Sequence, residues 1–579
     1  MAFTRRTFIA IALRALLMLL VLCLVALAVA AWWVPKHGDA WLDRTLRARI
    51  TEIIDDASVE GYRFAMEGLE TDVRNGNLVI TGVQLTFDPA LLDSLRNGAH
   101  QYLFAASVER IELRGLSFWR LVWGKEFRVR TFELKGPTLS YLIGGEKVDM
   151  TDPFARLGTG DGRSITLLSA DTLMVHRATT LVEDLGERLP RLNVRSFSLH
   201  ATEVHAYMGR RRGGVRLAVG GAELDVDDLS TQLSDGAVLS ISSAHFSLGE
   251  RTGRVLDIRH ASGSPQEQVD TTAVLRMELV VDSLLLTHFD VDRLISHQQL
   301  HTGHVGMYGL DMQVVLDKTL TPVKRSPRTL PPQSLLDLGF PIRVDTLGIV
   351  DARVVYRERD DGTERWGVLP FSKLNGRFLH ISNREEAIEE HERITGTVEG
   401  MIFDTAQVTC TYSAELDGSQ DFTIVATASQ LPFVALNAIT RPLMRLELQG
   451  GMLEHLELSM EGDERKAKGS MALRYTDLRI RVEPGTPRAL HNSMFGNVLE
   501  TMLTETYGGG MTADRERKYT IDRDPERALT GYLWHATREG LARNLTPEAW
   551  DRMRDMLRSD AEQRRSQRAA RRAKKQERR

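Results

Sequence analysis

One short pattern recurs along this chain and constrains its fold more than any other feature. Five stretches align without gaps, with an apolar residue at offsets 0, 2, 5 and 7 from the start of each. They begin at Ala106, Phe127, Leu192, Leu279 and Ile342. Ser or Thr stands at offset 4 in four of them, and Arg110 takes that place in the first.

The pattern predicts a β-strand that keeps one face apolar although its alternation slips by one residue. Strict alternation is typical of a strand with one dry face, because successive side chains point to opposite sides. Phe127 and Val129 are in one phase, whereas Phe132 and Leu134 are in the other. One extra residue in a strand is a β-bulge, which returns the same side to the dry face. We therefore expect a bulge at Thr131 and at the same offset in the other copies.

The spacing of the copies argues against a regular repeat fold. Successive copies start 21, 65, 87 and 63 residues apart, which is too irregular for a propeller or a tight solenoid. A meandering sheet with hairpins of variable length fits better. The remaining strand-like segments favour one extended antiparallel-rich sheet, and Asn75-Gly76 is a strong hairpin signal.

The N-terminus predicts a membrane anchor. Residues 15–33 form a run of 19 uncharged residues, enough for a helix to cross about 30 Å of hydrocarbon. The anchor includes Ala15, Leu20, Leu24, Trp32 and Trp33. Arginines precede the run, so the positive-inside rule predicts a cytoplasmic N-terminus and an exported body. The alternative is a signal peptide cleaved after the small residues 28–30.

Four regions follow from composition and pattern. Residues 1–35 are a cytoplasmic stub and anchor, 36–485 an exported β region, 486–546 a helical region, and 547–579 a basic tail, helical or disordered. The last 16 residues carry nine Lys or Arg against one acidic residue. Such a tail suits electrostatic contact with an anionic membrane surface, or no partner at all. Nucleic acid is not expected as a partner of an exported chain.

A search for catalytic or metal-binding motifs predicts that the protein is not an enzyme and needs no cofactor. Cys23 lies in the anchor and leaves Cys410 alone outside, so no intrachain disulfide is expected. His297, His301 and His304 are close in sequence, but their flanking glycines favour loop histidines over a zinc site. The GTGDGRS stretch and the paired acids near Asp225 and Asp290 are better explained as loops and strand ends.

Two motifs resemble the AsmA-like family of envelope proteins. The first has the form GxLxIxGVxLxxDP, and the second is the repeat beginning at Phe127, in which Pro137 stands where many members have proline. The first motif is carried by Gly76, Leu78, Ile80, Gly82, Val83, Leu85 and Pro89. A closing element is similar to the family's last strands through Gly469, Leu473, Tyr475, Asp477 and Leu478.

This resemblance implies a fold and a function. The expected fold class is mainly β: one N-terminal transmembrane helix, then an elongated, twisted, antiparallel-rich sheet curled into an open apolar groove, with short helices at the C-terminus. The candidate groove lining consists of Phe127, Val129, Phe132, Leu134, Leu139, Tyr141, Leu192, Val194, Phe197, Leu199, Leu279, Val281, Leu284, Leu286, Ile342, Val344, Leu347 and Ile349. The alternative is that these side chains fill an ordinary β-sandwich core.

The expected function is to bind phospholipids and conduct them between the inner and outer membranes. The chain would be a single-pass inner-membrane protein with its bulk in the periplasm. The first alternative is a non-enzymatic scaffold or assembly factor for outer-membrane proteins, which would bind partners by strand addition or through the C-terminal region. A further, weaker alternative is an enzyme acting on envelope polymers.

Overall fold

The computed structural model describes most of the β region and part of the C-terminal region. It covers residues 62–72, 75–97, 102–117, 126–144, 167–184, 191–208, 215–232, 237–261, 275–291, 293–294, 299–317, 319, 328–338, 340–359, 365–444, 446–482, 511–526 and 529–545. The predicted membrane anchor and the basic tail lie outside these residues. Among the residues that are described, no helix is long and apolar enough to span a membrane.

Strands dominate the described residues, which confirms a mainly β protein. The strands are β1 (Tyr62–Ala65), β2 (Gly68–Asp72), β3 (Asn77–Phe87), β4 (Tyr102–Arg114), β5 (Glu126–Lys135), β6 (Thr138–Ile143), β7 (Leu167–Asp184), β8 (Arg191–Met208), β9 (Val215–Ala218), β10 (Gly221–Gln232), β11 (Val238–Ser247), β12 (Thr252–Ala261), β13 (Leu275–Thr287), β14 (Leu300–Asp317), β15 (Ile342–Arg359), β16 (Gly367–Ser382), β17 (Arg393–Ile402), β18 (Ala406–Glu415), β19 (Phe422–Pro432), β20 (Leu446–Gly462), β21 (Lys466–Val482) and β22 (Met511–Asp522).

Short helices interrupt the strands. They are α1 (Ala90–Arg96), α2 (Pro331–Leu336), α3 (Glu385–His391), a 3₁₀ turn (Phe433–Leu436), α4 (Asn437–Met444) and α5 (Leu529–Leu545). The 3₁₀ turn and α4 separate β19 from β20. The chain divides into two compact units. The first contains residues 1–267, 279–307 and 338–345, and the second contains residues 268–278, 308–337 and 346–579.

The first unit is built on strands that follow one another across a mixed sheet. β1 and β2 both pair with β3, which pairs with β4. β4 pairs with β5 and β6, and both of these run parallel to β7. From β7 the order continues through β8, β10, β11 and β12 to β13, always antiparallel, while β9 adds to the end of β8. The described ladders are therefore antiparallel except for the pairs β5–β7 and β6–β7.

The hairpin between β2 and β3 forms where the sequence predicts it. Gly76 has a φ of +67°, a conformation that glycine adopts at no steric cost. Asp72 accepts hydrogen bonds from the backbone N–H of Asn75 at 3.2 Å and from its side-chain amide at 2.7 Å. These contacts fix the turn that the Asn-Gly pair favours.

The slip in alternation is present. Between β7 and β8 it includes the one-sided bulge that the sequence suggests, because Arg195 and Ser196 of β8 oppose Thr179 alone. In the other ladders of the repeats it takes a different form. In β5, Phe127 and Val129 are buried before the slip and Phe132 after it. β7 keeps the same register on both sides of the slip, because Val129 pairs with Ala170 and Thr131 with Thr172. No extra residue is inserted in one strand. Instead the ladder skips one residue of each strand at the same position, Arg130 in β5 and Asp171 in β7. The alternation of inward and outward side chains therefore shifts by one residue in both strands together.

The same device continues across the first unit. The ladder between β8 and β10 skips Arg195 and Asp228, which form an ion pair at 2.6 Å. The next ladders skip Ser242, Asp257 and Asp282 at the same level. Asp228 and Asp257 have φ values of +50° and +52°, in the left-handed region where a single residue reorients the chain. A line of displaced residues therefore crosses five strands and bends each of them at one level.

The displaced residue has a fixed place in the repeat. It stands at offset 3, one residue before the Ser or Thr that the sequence pattern emphasises. In the four copies whose ladders are described it is Glu109, Arg130, Arg195 or Asp282. All four are charged and exposed. At each slip, therefore, a charged residue is exposed to solvent, and the following apolar side chains return to the apolar face.

The second unit contains a run of strands that are neighbours in sequence. β16 to β22 pair in order, each antiparallel to the next. The described part of the region 486–546 is not helical throughout, since β22 precedes α5. β22 escapes sequence prediction because charged residues occupy both of its faces around Glu516, so it has no alternation. Helix α5 occupies the second half of that region, where a helix is predicted.

Candidate functional site

The candidate site is the apolar face of the sheet. In the first unit, residues paired across successive strands form continuous rows that run perpendicular to the strands. Row A is Leu69, Ile80, Ile111, Leu134, Val175, Leu199, Leu224, Phe246, Gly253 and Leu286. Row B is Ala178, Phe197, Val226, Ala244, Val255 and Leu284.

Two further rows lie beyond the line of displaced residues. Row C is Phe64, Leu85, Ala106, Leu139, Thr180, Val194, Leu229, Ile241, Ile258 and Val281. Row D is Phe104, Tyr141, Val182, Leu192, Thr231, Leu239, His260 and Leu279. The apolar residues of the third and fourth repeats, at equal offsets, therefore stand in the same row.

These rows join repeats that are far apart in sequence. Leu199 and Leu286 both have offset 7, and the three strands between them supply Leu224, Phe246 and Gly253. Row A crosses ten strands, which is about 43 Å along the sheet at about 4.8 Å per strand. From β8 to β13 the slip keeps the rows continuous, because these five strands change phase at the same level.

The beginning of the rows is a packed core. Leu134 and Val175 in row A are 0% and 1% exposed. Phe127, Val129, Phe132, Leu139 and Tyr141, all predicted to line a groove, are buried as well. They belong to two apolar clusters formed mainly by β2 to β8. For this part of the sheet the alternative of an ordinary core describes the side chains better than an accessible lining.

The later part of the rows is accessible. Phe197, Leu199, Leu279 and Leu284 are only half-buried, as are their apolar row neighbours in β10 and β11. Leu192, Val194, Val281 and Leu286 remain buried. Phe289 and neighbouring apolar residues pack against the ends of β12 and β13. From β8 to β13 the apolar face is therefore partly open to a ligand.

The fifth repeat continues the accessible pattern. Ile342, Leu347 and Ile349 are half-buried, whereas Val344 is 6% exposed. All four lie in β15, at the predicted offsets.

The second unit has apolar rows of its own. Row E is Phe378, Gly396, Tyr412, Ile424, Met460, Gly469 and Tyr519. Row F is Gly376, Val398, Cys410, Ala426, Leu458 and Met471. Phe378, Val398 and Cys410 are half-buried, while Met460 and Met471 are fully buried. Here too one part of the apolar face is accessible and another is covered.

Aromatic rings lie over glycines at several positions of the apolar face. Phe246 faces Gly253, Phe378 faces Gly396, Phe422 faces Gly462, and Tyr519 faces Gly469. A Cβ atom at position 253 or 462 would lie 2.7 Å from the opposing ring. Glycine leaves room for the ring to lie flat on the neighbouring strand. These pairs make the apolar surface flatter where a ligand would contact it.

The wet face of the first unit carries a dense charge network centred on a buried carboxylate. Glu112 accepts hydrogen bonds from Arg110 at 2.6 Å, Arg114 at 2.8 Å and Lys135 at 3.0 Å. Its neighbour Glu133 lies 3.3 Å from Lys135. The hydrogen bond from Arg114, followed by the contacts with Lys135 and Arg110, lowers the pKa of Glu112 from 4.5 to about 2.

We expect Glu112→Gln to destabilise the protein by on the order of 1–2 kcal/mol at pH 7, because three cations lose their anionic partner. A carboxyl with a lowered pKa stabilises the fold above its unfolded pKa, and that stabilisation is lost as pH falls from 4.5 towards 2. The variant should therefore show a shallower loss of stability in that range. Urea unfolding at several pH values measures both effects.

The matched control is Glu109→Gln on the same strand. Glu109 is exposed, and its carboxylate lies 3.8 Å from Arg177, so we expect a change below about 0.5 kcal/mol. Equal pH dependence in wild type and Glu112→Gln would contradict the stabilising role of Glu112.

The titratable residues that were singled out in the sequence, where the structure describes them, lie in strands or at strand ends. His301 and His304 lie in strand β14 rather than in the predicted loop. Burial lowers the pKa of His301. Asp225 is paired with His245 at 2.7 Å on the exposed side of β10 and β11. Among the described residues, no group of three or more His, Cys, Asp or Glu could hold a metal ion. His297 and the GTGDGRS stretch lie outside those residues.

A polar cleft lies on the opposite face of β17 to β21. Its charged lining residues are Arg393, Glu415, Asp421, Glu461, Asp463, Lys466 and Lys468. Arg393 is already paired with Glu415 at 2.9 Å. Three cations among four carboxylates create no strong field for an ionic ligand. The apolar face remains the better candidate.

Sequence reasoning missed two parts of this site. The first is the charged residue at offset 3, which could have been found because every copy of the repeat carries a charge there. The second is the covering of rows E and F by α5, which depends on contacts that no local pattern reveals. No protein-family model and no curated protein matches this sequence.

Proposed function

We propose that this protein binds the acyl chains of membrane phospholipids on its apolar face and passes them along the rows. The apolar face would then be the floor of an open groove. The observation that carries the proposal is the continuity of the rows: apolar side chains at the same offsets follow one another from β8 to β13. Many of them, including Leu199, Leu224 and Phe246 in row A, are only half-buried. A core that is only packed against itself needs no such accessible, repeating surface.

The energetics suit a carrier that releases its cargo. Each buried methylene contributes about 0.8 kcal/mol, so an acyl chain gains several kcal/mol on an apolar track. Successive strands offer nearly equivalent contacts, about 4.8 Å apart. A chain can therefore move from one strand to the next without losing all of its contacts at once. The lipid headgroup would stay in water, where the polar edges of the sheet lie.

The sequence motifs support the same function. The opening motif and the repeats resemble the AsmA-like family, whose members are implicated in lipid traffic between inner and outer membranes. The uncharged run of residues 15–33 would anchor the protein in the inner membrane, with the β region in the periplasm. A membrane anchor would hold the apolar face near a source of phospholipids.

The scaffold alternative has less support from the described edge. Strand addition needs an edge that offers free backbone groups and few charges. The last strand of the second unit, β22, exposes charged side chains from Asp514 to Lys518. Arg543 also donates a hydrogen bond to the backbone carbonyl of Lys518 at 3.1 Å. Both features disfavour pairing with a partner strand there.

Photo-crosslinking tests the proposal directly. A photoreactive residue at Leu284 or Leu199 should form adducts with phospholipid in membrane-derived preparations, because both side chains are half-buried on the apolar face. Leu285 is the matched control: it is the next residue, is 36% exposed and points to the opposite face. We expect abundant adducts from the first two positions and few from position 285. Mass spectrometry identifies the attached lipid.

Two results would count against the proposal. One is the absence of lipid adducts at positions 199 and 284. The other is equal labelling at 284 and 285, which would indicate contact with lipid from the membrane rather than binding on one face.

A further inference from the structure

Helix α5 lies on the apolar face of the second unit. Tyr532 and Ala536 are buried in one cluster with residues from β18 to β22. The ring of Tyr532 meets that of Phe422 edge-on, with ring centroids 5.9 Å apart. Further along the helix, the side-chain amide of Asn544 donates a hydrogen bond to the backbone carbonyl of Met471 at 3.0 Å. The helix therefore covers the ends of rows E and F.

The covered surface is a continuation of the accessible one. In row F, Val398 and Cys410 are half-buried, whereas Leu458 and Met471 are buried. All four belong to the same row and to the same face of consecutive strands. A chain lying on the first part of the row would reach α5 if it continued. The helix and an extended acyl chain would then compete for one surface.

The contact between α5 and the sheet leaves polar atoms unsatisfied. The hydroxyls of Tyr412 and Tyr532 and the amide oxygen of Asn544 are buried, and each has no hydrogen-bond partner among the described residues. Burial raises the pKa of Tyr412 to about 12. Buried polar groups are usually paired, and each unpaired one weakens the packed state. The packing of α5 on the sheet is therefore less stable than it would be if these polar atoms had hydrogen-bond partners.

The helix is also intrinsically weak. Gly531 and Gly540 lie inside it, and glycine is among the least favourable residues in a helix interior. The hydroxyl of Thr537 bonds to the carbonyl of Leu533 at 2.9 Å, an arrangement that slightly destabilises helices. Gly540 has a packing reason, since a Cβ atom there would lie 2.9 Å from the Cβ atom of Met471. The helix is thus fitted to the sheet but depends on it.

We propose that the surface beneath α5 is an acyl-chain site, which α5 occupies when no lipid is bound. This inference rests on the proposed function and adds a second state to it. Lipid arriving along rows E and F displaces the helix and covers the apolar surface in its place. The hydroxyl of Tyr532 and the amide oxygen of Asn544, both on the helix, then return to water. Release of the lipid allows the helix to return. The competing explanation is that α5 is a permanent cover for the end of the sheet.

A reversible disulfide tests the inference. Gly540→Cys and Met471→Cys should form one, because their Cβ atoms need to move apart only slightly to reach the usual separation of about 3.8 Å. Cys23→Ser and Cys410→Ala remove the native thiols without placing a hydroxyl in row F. A photoreactive residue at Leu456, which is half-buried beside α5, reports lipid on this surface. The full-length protein is mixed with phosphatidylglycerol and phosphatidylethanolamine vesicles.

We expect oxidation to lower the lipid adduct at Leu456 about fivefold or more, since the helix can no longer leave. A reductant should restore it. The adduct at Leu284, in the first unit, should be the same in both states. An adduct at 284 together with an unchanged or absent adduct at 456 would overturn the inference alone. Absence of adducts at both positions in both states would instead count against the proposed function.

A second variant tests the same point without a disulfide. Arg543→Ala with Asn544→Ala removes the hydrogen bonds to the carbonyls of Lys518 and Met471. We expect the adduct at position 456 to rise about tenfold at limiting lipid, because the seated helix is weakened. Arg474→Ala on β21 is the control and should leave the adduct unchanged. No rise in the double variant would show that α5 does not restrict the surface.

Discussion

Replacing Gly469 by alanine is expected to destabilise the second unit by about 3 kcal/mol or more. Gly469 lies in β21 beneath the ring of Tyr519. An added Cβ atom would overlap the backbone carbonyl of Ser459 and lie 2.5 Å from the Tyr519 hydroxyl. That hydroxyl donates a hydrogen bond to the same carbonyl at 2.8 Å. The substitution therefore displaces a buried ring and breaks its hydrogen bond, which weakens the packing of β22 on β21.

Urea unfolding of the full chain, followed by circular dichroism, measures this effect. Gly450→Ala is the matched control, because position 450 lies in the neighbouring strand β20 and no atom lies within 4 Å of its added Cβ atom. We expect that control to change stability by less than about 1 kcal/mol, in the stabilising direction if at all. Equal effects of the two substitutions would show that the ring over Gly469 has no special role.

Replacing Leu284 by aspartate is expected to reduce phospholipid binding by at least about tenfold. Leu284 lies in row B, where the opposing residue is Val255. A carboxylate in the middle of an apolar row must be desolvated when an acyl chain covers it, and no cation stands beside it in the row. The apolar track would thus be interrupted between β12 and β13.

The control for this variant is Leu285→Asp. Both substitutions introduce the same charge into the same strand, but residue 285 points to the wet face. Lipid bound after purification, quantified by mass spectrometry, should fall only in Leu284→Asp. Circular dichroism confirms that both variants are folded. A similar loss of lipid in both variants would point to a general effect on the strand rather than to a track on one face.

The strands were predictable because their pattern is local. Alternating apolar residues around Val129 and Val194 define a dry face whatever the neighbours are. The nature of the slip was not predictable in the same way. A one-sided bulge and a displacement shared by two strands give the same pattern of apolar residues in a single strand. They are distinguished only by the partner strand, in which Asp171 is skipped at the same position as Arg130. Cross-strand register is therefore the information that a single strand lacks.

The accessible part of the candidate site was also beyond the sequence. Phe132 and Phe197 have the same offset in their repeats, yet Phe132 is buried in a core and Phe197 is half-exposed. The difference arises from what packs above each side chain, which depends on distant parts of the chain. Helix α5 illustrates the same limit. Its place in the sequence was predicted approximately, but its packing on Met471 depends on the close approach that Gly540 allows.

The shared level of displacement makes the sheet modular. β11 and β12 form a hairpin between β10 and β13, and every row passes straight through it. If that hairpin were absent, β13 would meet β10 with the same antiparallel sense, and Leu224 would face Leu286. Asp228 would likewise stand opposite Asp282, so the bend would be preserved. Such a sheet can be lengthened or shortened by whole hairpins during evolution, whereas a single inserted residue would put one strand out of step with all the others.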